Sequence, residues 1–227
     1  MNNHFDLRSR AVAEFLGTAF LLAAVVGSGI MGERLCGGNV AVALLANTLS
    51  TGAILVVLIL VLGPISGAHL NPAVTLAMVT TGDLSWREAA VYFASQIAGA
   101  FAGVASAHLM FSLPLFFASR HGRFGAAQLW SEAVATFGLL FVIQGCSRFR
   151  PTATAYAVGA YITSAYWFTA STSFANPAVT LARSASDTFA GIRPVDAPGF
   201  ICAQLVGALA ATGLFRWLTA VRMSRPD

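Results

Sequence analysis

The sequence predicts an all-α membrane protein with six transmembrane helices and two re-entrant half-helices in an inverted repeat. Of its 227 residues, 57% are hydrophobic and only 10% are charged, whereas soluble domains carry about 25% charge. Six stretches are long and apolar enough to cross about 30 Å of hydrocarbon as helices. The heptapeptide Asn-Pro-Ala-Val-Thr-Leu-Ala also occurs twice, at Asn71–Ala77 and Asn176–Ala182, which indicates a duplicated half.

The predicted spans follow one another along the chain, with the heptapeptides between them. They are Ala11–Met31, Val40–Leu62, Trp86–Phe111, Ala127–Gly145, Thr152–Thr169 and Ala197–Leu218. No small-residue cleavage site follows the first apolar run, so we interpret that run as a retained span rather than a signal peptide. The cysteines Cys36, Cys146 and Cys202 are widely spaced and odd in number, which favours neither a disulfide framework nor a metal site.

The basic residues predict the orientation of the chain. All 13 are arginine, and an even number of spans places both termini on one side. Eight arginines then fall on the side of the termini and four on the other, with Arg183 left aside inside the second repeat. The eight are Arg8, Arg10, Arg87, Arg148, Arg150, Arg216, Arg222 and Arg225, and the four are Arg34, Arg120, Arg123 and Arg193. This excess favours cytoplasmic termini, and a net charge of +4 needs no nucleic-acid partner.

The duplication extends beyond the heptapeptide. Glu14 and Thr18 match Glu132 and Thr136, and the run Gln96–Ala100 matches Gln204–Ala208. Three spans separate the two copies, so the halves must have opposite orientations in the membrane. We expect inverted repeats over residues 8–111 and 127–220 within a single membrane domain, residues 1–227, and a site at their interface.

Each heptapeptide predicts a half-helix of about ten residues and about 15 Å. Pro72 and Pro177 suit the first helical turn, and Asn71 and Asn176 suit the cap before it. Two such helices entering from opposite faces would bring their positive dipole ends together at the midplane. The irregular segments before them, Gly63–Leu70 and Ala170–Ala175, would expose carbonyls, which requires a buried or wet environment. Carbonyl acceptors that lead to two amide donors form a path for a neutral, hydrogen-bonding solute.

The segment Ser66–Thr75 resembles the first signature of the aquaporin, or major intrinsic protein, family. Glu14, Glu132 and Asn176-Pro177-Ala178 complete the resemblance, which extends over nearly the whole chain. It implies a homotetramer with one pore per subunit, in which the motifs Asn71-Pro72-Ala73 and Asn176-Pro177-Ala178 form the centre of each pore. It also agrees with a supporting role for the two glutamates, whose symmetric placement suggests that each accepts donors from one loop. We expect the loops to line the path through Gly67, Ala68, His69, Thr172 and Phe174.

The filter predicted from this resemblance departs from the usual pattern. Most members carry Arg directly after the second Asn-Pro-Ala, where this chain has Val179. Counting along the motifs places Thr51 and Ser173 at two further filter positions. The fifth-span position is Ser164 without a gap, or Tyr166 if the following loop is two residues short. Small side chains and a missing Arg predict a wide, less polar constriction.

Arg183 lies four residues after Val179, on nearly the same helix face. It would reach the outer vestibule as a displaced substitute, or alternatively form a salt bridge with Asp187. The segment Asn176–Ile192 resembles a bacterial branch found with arsenic-resistance genes. This resemblance implies passage of As(OH)3, with glycerol and water also plausible.

These features favour a passive channel in a bacterial inner membrane, in contact with lipids and small neutral solutes. An ordinary water or glycerol facilitator without an arsenic role is the nearest alternative. An ion-coupled transporter also has inverted repeats, but the broken segments here carry no acid near the midplane. No nucleophile–base pair, phosphate loop or metal spacing indicates an enzyme, so no catalytic residue, metal or cofactor is predicted.

Overall fold

The computed structural model describes residues 5–220 and contains eight α-helices in that range. Arg222 and Arg225, two of the arginines used to predict the orientation, lie outside it. The helices are α1 (Leu7–Leu35), α2 (Val40–Ser66), α3 (Pro72–Thr81), α4 (Trp86–Met110), α5 (Ala126–Phe149), α6 (Thr154–Phe168), α7 (Pro177–Arg183) and α8 (Ala197–Ala220). The all-helical class predicted from the sequence is confirmed, since the described residues form no strand.

Five of the helices, α1, α2, α4, α5 and α8, are long and apolar enough to cross a membrane. The remaining predicted span, the fifth along the chain, is α6, which has only 15 residues. A 3-10 turn, Pro151–Ala153, precedes it directly and extends it. Together the turn and the helix reach about 28 Å, close to the thickness of the hydrocarbon core.

The long helices cross in matching pairs, one in each half. In the first half α1 packs on α4, and in the second α5 packs on α8. A Cβ atom added at Gly99 of α4 would lie 2.3 Å from the carbonyl oxygen of Phe15, and one at Gly207 of α8 would lie 2.3 Å from that of Ala133. Only glycine allows backbones to approach this closely. The same close crossing therefore occurs at the same place in both halves.

The short helices α3 and α7 tie the halves together. Ala178 and Val179 of α7 are buried in one hydrophobic cluster with residues of α1 and α4. Ala73 and Val74 of α3 are buried in a second cluster, with residues of α5 and α6. Each half-helix thus packs into the core of the other repeat, which fixes the position of one loop against the other.

The structure changes two boundaries that the sequence predicted. The helix α2 runs through Pro64 to Ser66 and ends at Gly67, whose φ is 87°. The irregular segment before α3 is therefore Gly67–Leu70, and residues 63–66 are helical because the chain turns only where glycine allows a left-handed residue. The second half-helix has seven residues rather than about ten, so α3 and α7 together reach about 25 Å.

Candidate functional site

Two asparagines meet where the half-helices begin, and each bonds to the opposite loop. The Asn71 Nδ2 atom donates to the carbonyl of Ala175 at 2.7 Å. The Asn176 Nδ2 atom donates to the carbonyl of Leu70 at 2.8 Å. A carboxamide nitrogen carries two hydrogens, so each asparagine keeps a second N–H beyond this crossed pair.

The side-chain oxygens of the same asparagines cap their own helices. Asn71 Oδ1 accepts from the backbone N–H of Ala73 at 2.8 Å, and Asn176 Oδ1 accepts from that of Ala178 at 3.0 Å. This is the geometry of a helix N-cap. Both caps fix the direction of the amide nitrogen, so the two donors are oriented before any solute arrives.

The loops before the asparagines have a strained backbone in matching positions. Leu70 and Ala175 both have positive φ, at 49° and 48°, and so do Ala68 and Ser173, at 46° and 49°. L residues rarely adopt this left-handed region, and such strain clusters at functional sites. In each loop the residues line a cavity between the helices.

Glu14 fixes the position of the loop before Asn71 by accepting four hydrogen bonds. Its Oε1 atom accepts from the backbone N–H of His69 at 2.9 Å and from the hydroxyl of Ser66 at 2.6 Å. Its Oε2 atom accepts from the backbone N–H of Leu70 at 2.7 Å and from the amide of Gln96 at 2.8 Å. Because the carboxylate is fully buried, these four bonds replace its hydration.

Glu132 holds the second loop in the same way. It accepts from the backbone N–H groups of Phe174 and Ala175, each at 2.9 Å, and from the amide of Gln204 at 2.6 Å. Gln204 also bonds to Thr180 of α7 at 2.8 Å. The carboxylate, the glutamine and the threonine together connect α5, α8 and the half-helix.

The glutamines are functional-site residues that the sequence reasoning did not single out for a role. Gln96 and Gln204 occur at matching places in the two repeats, and that repetition is the signal that could have identified them. Gln96 bonds to Thr75 at 2.9 Å, as Gln204 bonds to Thr180. They position the loops rather than line the cavities.

Two adjoining cavities lie on the path through the asparagines. The narrower central cavity, about 60 Å³, is lined by both asparagines and by the residues before them. The wider inner cavity, about 480 Å³, lies toward the side of the termini and is lined in part by Arg148 and Arg216. Both cavities share the lining residues Ile59, Ala68, His69, Val74 and Val158. The shared residues mark the neck between the inner mouth and the asparagines.

Most of the predicted filter residues line the central cavity. Thr51, Ser173 and Val179 all do so, and each is buried. At the fifth-span position the structure places Tyr166 in the cavity, with its hydroxyl 3.3 Å from Thr51 Oγ1. Ser164 is exposed on another face of α6 and does not line the cavity, because two residues along a helix turn the side chain by about 200°.

Of the other predicted loop residues, four line one or both cavities, and Thr172 instead contacts a neighbouring side chain. Ala68 and His69 line both cavities, Gly67 lines the inner one and Phe174 the central one. Thr172 does not line the central cavity; its hydroxyl accepts a hydrogen bond from Arg123 Nη1 at 3.4 Å.

The prolines and alanines of the two motifs pack away from the path. Pro72, Pro177 and Ala178 line an apolar groove between the repeats, and Ala73 is fully buried. These residues therefore shape the half-helices and leave hydrogen bonding to the asparagines.

Arg183 lines the central cavity and does not pair with Asp187. Asp187 instead bonds to Arg120, with 2.7 Å between its Oδ2 atom and the Arg120 Nε atom. The Arg183 guanidinium lies over the ring of Phe174, 3.4 Å from the ring centroid. Of the two sequence-based interpretations of Arg183, the structure thus favours the one beside the cavity.

Comparisons with known proteins agree with this architecture. Residues 2–150 match the family model described as Major intrinsic protein. The aquaglyceroporin AqpS of Rhizobium meliloti (strain 1021) is 58% identical over 214 residues, which cover 94% of this chain and 91% of that protein. Aquaporin NIP1-3 of Oryza sativa subsp. japonica is 36% identical over 150 residues, 63% of this chain and 51% of the rice protein. The match to the rice protein therefore spans about half of its length.

A solved structure shares the fold. The X-ray structure of the aquaglyceroporin from Plasmodium falciparum superposes with a TM-score of 0.73 and covers 92% of this chain and 96% of its own, at 23% identity. A helical bundle whose two half-helices meet on an internal cavity, together with the match to the family model, identifies a membrane channel. The chain belongs to the major intrinsic protein family, whose members are channels rather than enzymes. Its fold is that of an aquaporin.

Proposed function

We propose that this chain is a passive channel for small neutral solutes larger than water, of the glycerol and As(OH)3 type, which also passes water. The observation that carries this proposal is the crossed pair of asparagines at the meeting point of the two half-helices. Asn71 and Asn176 each use one amide hydrogen to hold the opposite loop. The second hydrogen of each is available to a solute oxygen in the cavity.

The same arrangement discriminates against ions. The N-termini of α3 and α7 carry partial positive charge and meet at the asparagines. A cation therefore meets repulsion at the point where it would have to give up its water, while a neutral solute gains two hydrogen bonds. Among the described residues that line the neck between the inner cavity and the asparagines, hydrogen-bonding groups come from the loop backbone and from His69.

The filter is proposed to set the size of the solute. Val179 stands where most family members have Arg, and its side chain offers no hydrogen bond. Thr51, Tyr166 and Ser173 bring hydroxyl groups to the same cavity. A constriction with hydroxyls on part of its lining and aliphatic groups on the rest suits a compact polyol better than water alone.

An arsenic role is the finer part of this proposal. It is supported by the resemblance of Asn176–Ile192 to the branch found with arsenic-resistance genes, because As(OH)3 and glycerol are similar in size and in hydroxyl display. The relative AqpS is named an aquaglyceroporin, which supports polyol passage. An ordinary water or glycerol facilitator is the alternative that a flux assay would separate.

An ion-coupled transporter is disfavoured by the hydrogen bonding of the two buried glutamates. Such a transporter needs a carboxylate that exchanges protons or binds ions during the cycle. Glu14 and Glu132 are buried beside the loops that lead into the half-helices, and both accept several loop donors. Protonation of either would release a loop rather than move a substrate.

We further propose a homotetramer in a bacterial inner membrane, with both termini cytoplasmic. The family resemblance supports the tetramer, and the bacterial relative supports the location. The arginine distribution supports the orientation. Chemical cross-linking of the purified protein in detergent would test the tetramer. Protease access to the termini in sealed vesicles would test the orientation.

The function is tested by solute flux into proteoliposomes. Stopped-flow light scattering would follow water, glycerol, urea and arsenite in vesicles with and without the protein. We expect non-saturating flux of water and glycerol with a low activation energy, and arsenite flux if the finer proposal holds. Uptake against a concentration gradient, driven by an ion gradient, would refute a channel.

A further inference from the structure

Arg183 is buried beside the path at the outward end of α7. It lies one helical turn beyond Val179, and both residues line the central cavity. Four residues along a helix return to nearly the same face and advance about 6 Å. The Arg183 side chain is only 1% exposed. A full positive charge thus lies inside the protein next to the filter.

The contacts of Arg183 leave part of its guanidinium free. Its Nε atom donates to the carbonyl of Ala190, and its plane lies against the ring of Phe174. Among residues 5–220, the Nη1 atom has no hydrogen-bond partner. A buried donor without a partner is costly, and a charged one more so. The Phe174 ring, the Ala190 carbonyl and the Tyr166 hydroxyl orient the guanidinium, and Nη1 still lacks a partner.

A second polar side chain in this cavity is equally unsatisfied. The Ser173 hydroxyl is buried and has no partner within the described part of the chain. Ser173 and Arg183 line the same cavity, together with Tyr166 and Thr51. Two unsatisfied buried polar groups in one cavity indicate a place where a passing molecule supplies the partners.

No carboxylate within residues 5–220 forms a salt bridge with Arg183. Asp187 bonds to Arg120 and Asp196 bonds to Arg193, at 2.7 and 2.9 Å. The buried carboxylate of Glu132 is close enough to act on the Arg183 charge, but its hydrogen bonds go to the backbone N–H groups of Phe174 and Ala175. A second guanidinium, that of Arg123, lies 4.9 Å from the centroid of the Phe174 ring. Two guanidinium groups, those of Arg123 and Arg183, therefore lie over the Phe174 ring. Their charges make the electrostatic potential at the outer end of the path positive.

We propose that Arg183 is the specificity-determining cation of the outer constriction, in place of the arginine that this chain lacks at Val179. Its free N–H groups, with the Ser173 hydroxyl, donate to the oxygens of a neutral polyol as it passes. Its charge repels hydronium and other cations at the same point. This inference rests on the proposed channel function and names the residue that gives that channel its selectivity.

The test measures solute flux and proton leak in the same proteoliposomes. Arg183→Met places there the residue that the first repeat has at the corresponding position, Met78, and removes the charge at similar volume. We expect proton leak, followed by a pH-sensitive dye inside the vesicles, to rise about tenfold, the effect of losing one interaction with a charged group. Glycerol flux relative to water should fall. Arg183→Lys, which keeps the charge, should keep the proton leak near that of the unmodified protein.

Arg34→Met is the matched control. Arg34 is also on the outer side, lies 5.1 Å from the Phe111 ring centroid and donates to the Phe111 carbonyl, but it lines neither cavity. Arg34→Met should change neither the proton leak nor the flux of glycerol relative to water. If Arg183→Met does not fold, Arg183→Gln tests the role of the charge instead. Glutamine keeps N–H donors but has no charge, so we expect the proton leak to rise in this variant as well.

Two results are distinguishable from each other. Folded Arg183→Met or Arg183→Gln with an unchanged proton leak and an unchanged glycerol-to-water ratio would overturn the role of Arg183. An unmodified protein without solute flux would overturn the channel proposal itself.

Discussion

The two re-entrant loops differ least where they are held and most where they face the cavity. Glu14 and Glu132 each accept two consecutive backbone N–H groups of their loop and one glutamine amide. Beside these shared contacts, His69 of the first loop corresponds to Phe174 of the second. The Nδ1 atom of His69 lies 3.1 Å from Thr75 Oγ1, whereas the ring of Phe174 stacks against the guanidinium of Arg183.

This contrast shows which parts of the duplicated sequence determine geometry and which determine selectivity. The carboxylates, glutamines and asparagines have the same role in both halves, because both loops must bring one amide donor to the same point. The side chains at the two mouths, in contrast, differ between the repeats. The inner mouth opens through a cavity of about 480 Å³. On the other side of the asparagines, the central cavity of about 60 Å³ is lined by the guanidinium of Arg183.

The largest effect is expected from breaking one of the two carboxylate contacts. In Glu14→Gln or Glu132→Gln an amide nitrogen replaces one acceptor oxygen and faces N–H donors, so buried bonds are lost. We expect each change to cost about 3 kcal/mol or more, with loss of glycerol flux. Glu14→Gln should cost more, because Glu14 also accepts from Ser66. Thermal unfolding in detergent and flux would measure both.

Glu33→Gln provides the control for this pair, since Glu33 is exposed at the outward end of α1. It should leave the unfolding temperature unchanged. Equal stability of the unmodified protein and both loop variants would show that the carboxylates do not hold the loops.

A smaller effect on stability, but a large one on selectivity, is expected from Asn71→Asp and Asn176→Asp. Aspartate keeps the oxygen that caps the helix, and a negative charge at a helix N-terminus is favourable. These gains offset part of the cost of placing a second carboxylate oxygen against the opposite carbonyl. The donor to the opposite carbonyl is lost and the positive field at the midplane is cancelled. We expect neutral-solute flux to fall about tenfold and sodium conductance to appear in planar bilayers.

The two aspartate variants also test how alike the halves are. Because the asparagines make equivalent bonds, the two changes should have similar effects. A sodium conductance in one variant and none in the other would show that the halves contribute unequally at the centre.

The symmetric part of this site could be predicted from the sequence, and the asymmetric part only incompletely. A repeated heptapeptide separated by three spans determines the inversion, and the Asn-Pro pairs determine the caps, because both follow from local rules. The pairing of Asp187 with Arg120 depends on the loop that connects the two halves, and no periodicity predicts such a contact. Whether Ser164 or Tyr166 reaches the cavity depends on the length of α6 and its loop, which the apolar pattern does not determine.

The filter position can be compared between the halves with Val179→Arg and Val74→Arg. Both valines line the central cavity, but Val74 also lines the wide inner one. At Val179 the added guanidinium would narrow a constriction that already contains Arg183, so glycerol flux should fall about tenfold while water flux persists. At Val74 the side chain can extend into the inner cavity, and the loss should be severalfold smaller. Stopped-flow flux of both solutes measures the difference.

Equal losses at the two valines would contradict the asymmetry of the mouths. Unchanged glycerol flux in Val179→Arg would contradict a filter at that position. Val195→Arg, at an exposed site on the outer loop, controls for the added charge.

The smallest effect concerns the ion pairs that fasten the outer segments. The carboxylate of Asp187 accepts from the backbone N–H and Nε of Arg120, at 2.8 and 2.7 Å, which lowers its pKa below the ordinary value of 3.8. The bonds of Asp196 to Arg193 lower its pKa in the same direction. A lowered pKa means that this stabilisation is complete above the ordinary value and is lost as pH falls through the lowered one.

We therefore expect the outer segments, residues 112–125 and 184–196, to exchange backbone hydrogens faster below about pH 4, after correction for the intrinsic rate, while the re-entrant loops keep their protection. The free-energy change should be below about 1 kcal/mol, because Arg120 is exposed to solvent. Asp187→Asn removes the titrating group, so its corrected exchange near Arg120 should depend less on pH than that of the unmodified protein. Identical pH profiles for the two would mean that the Arg120–Asp187 pair does not fasten the outer mouth.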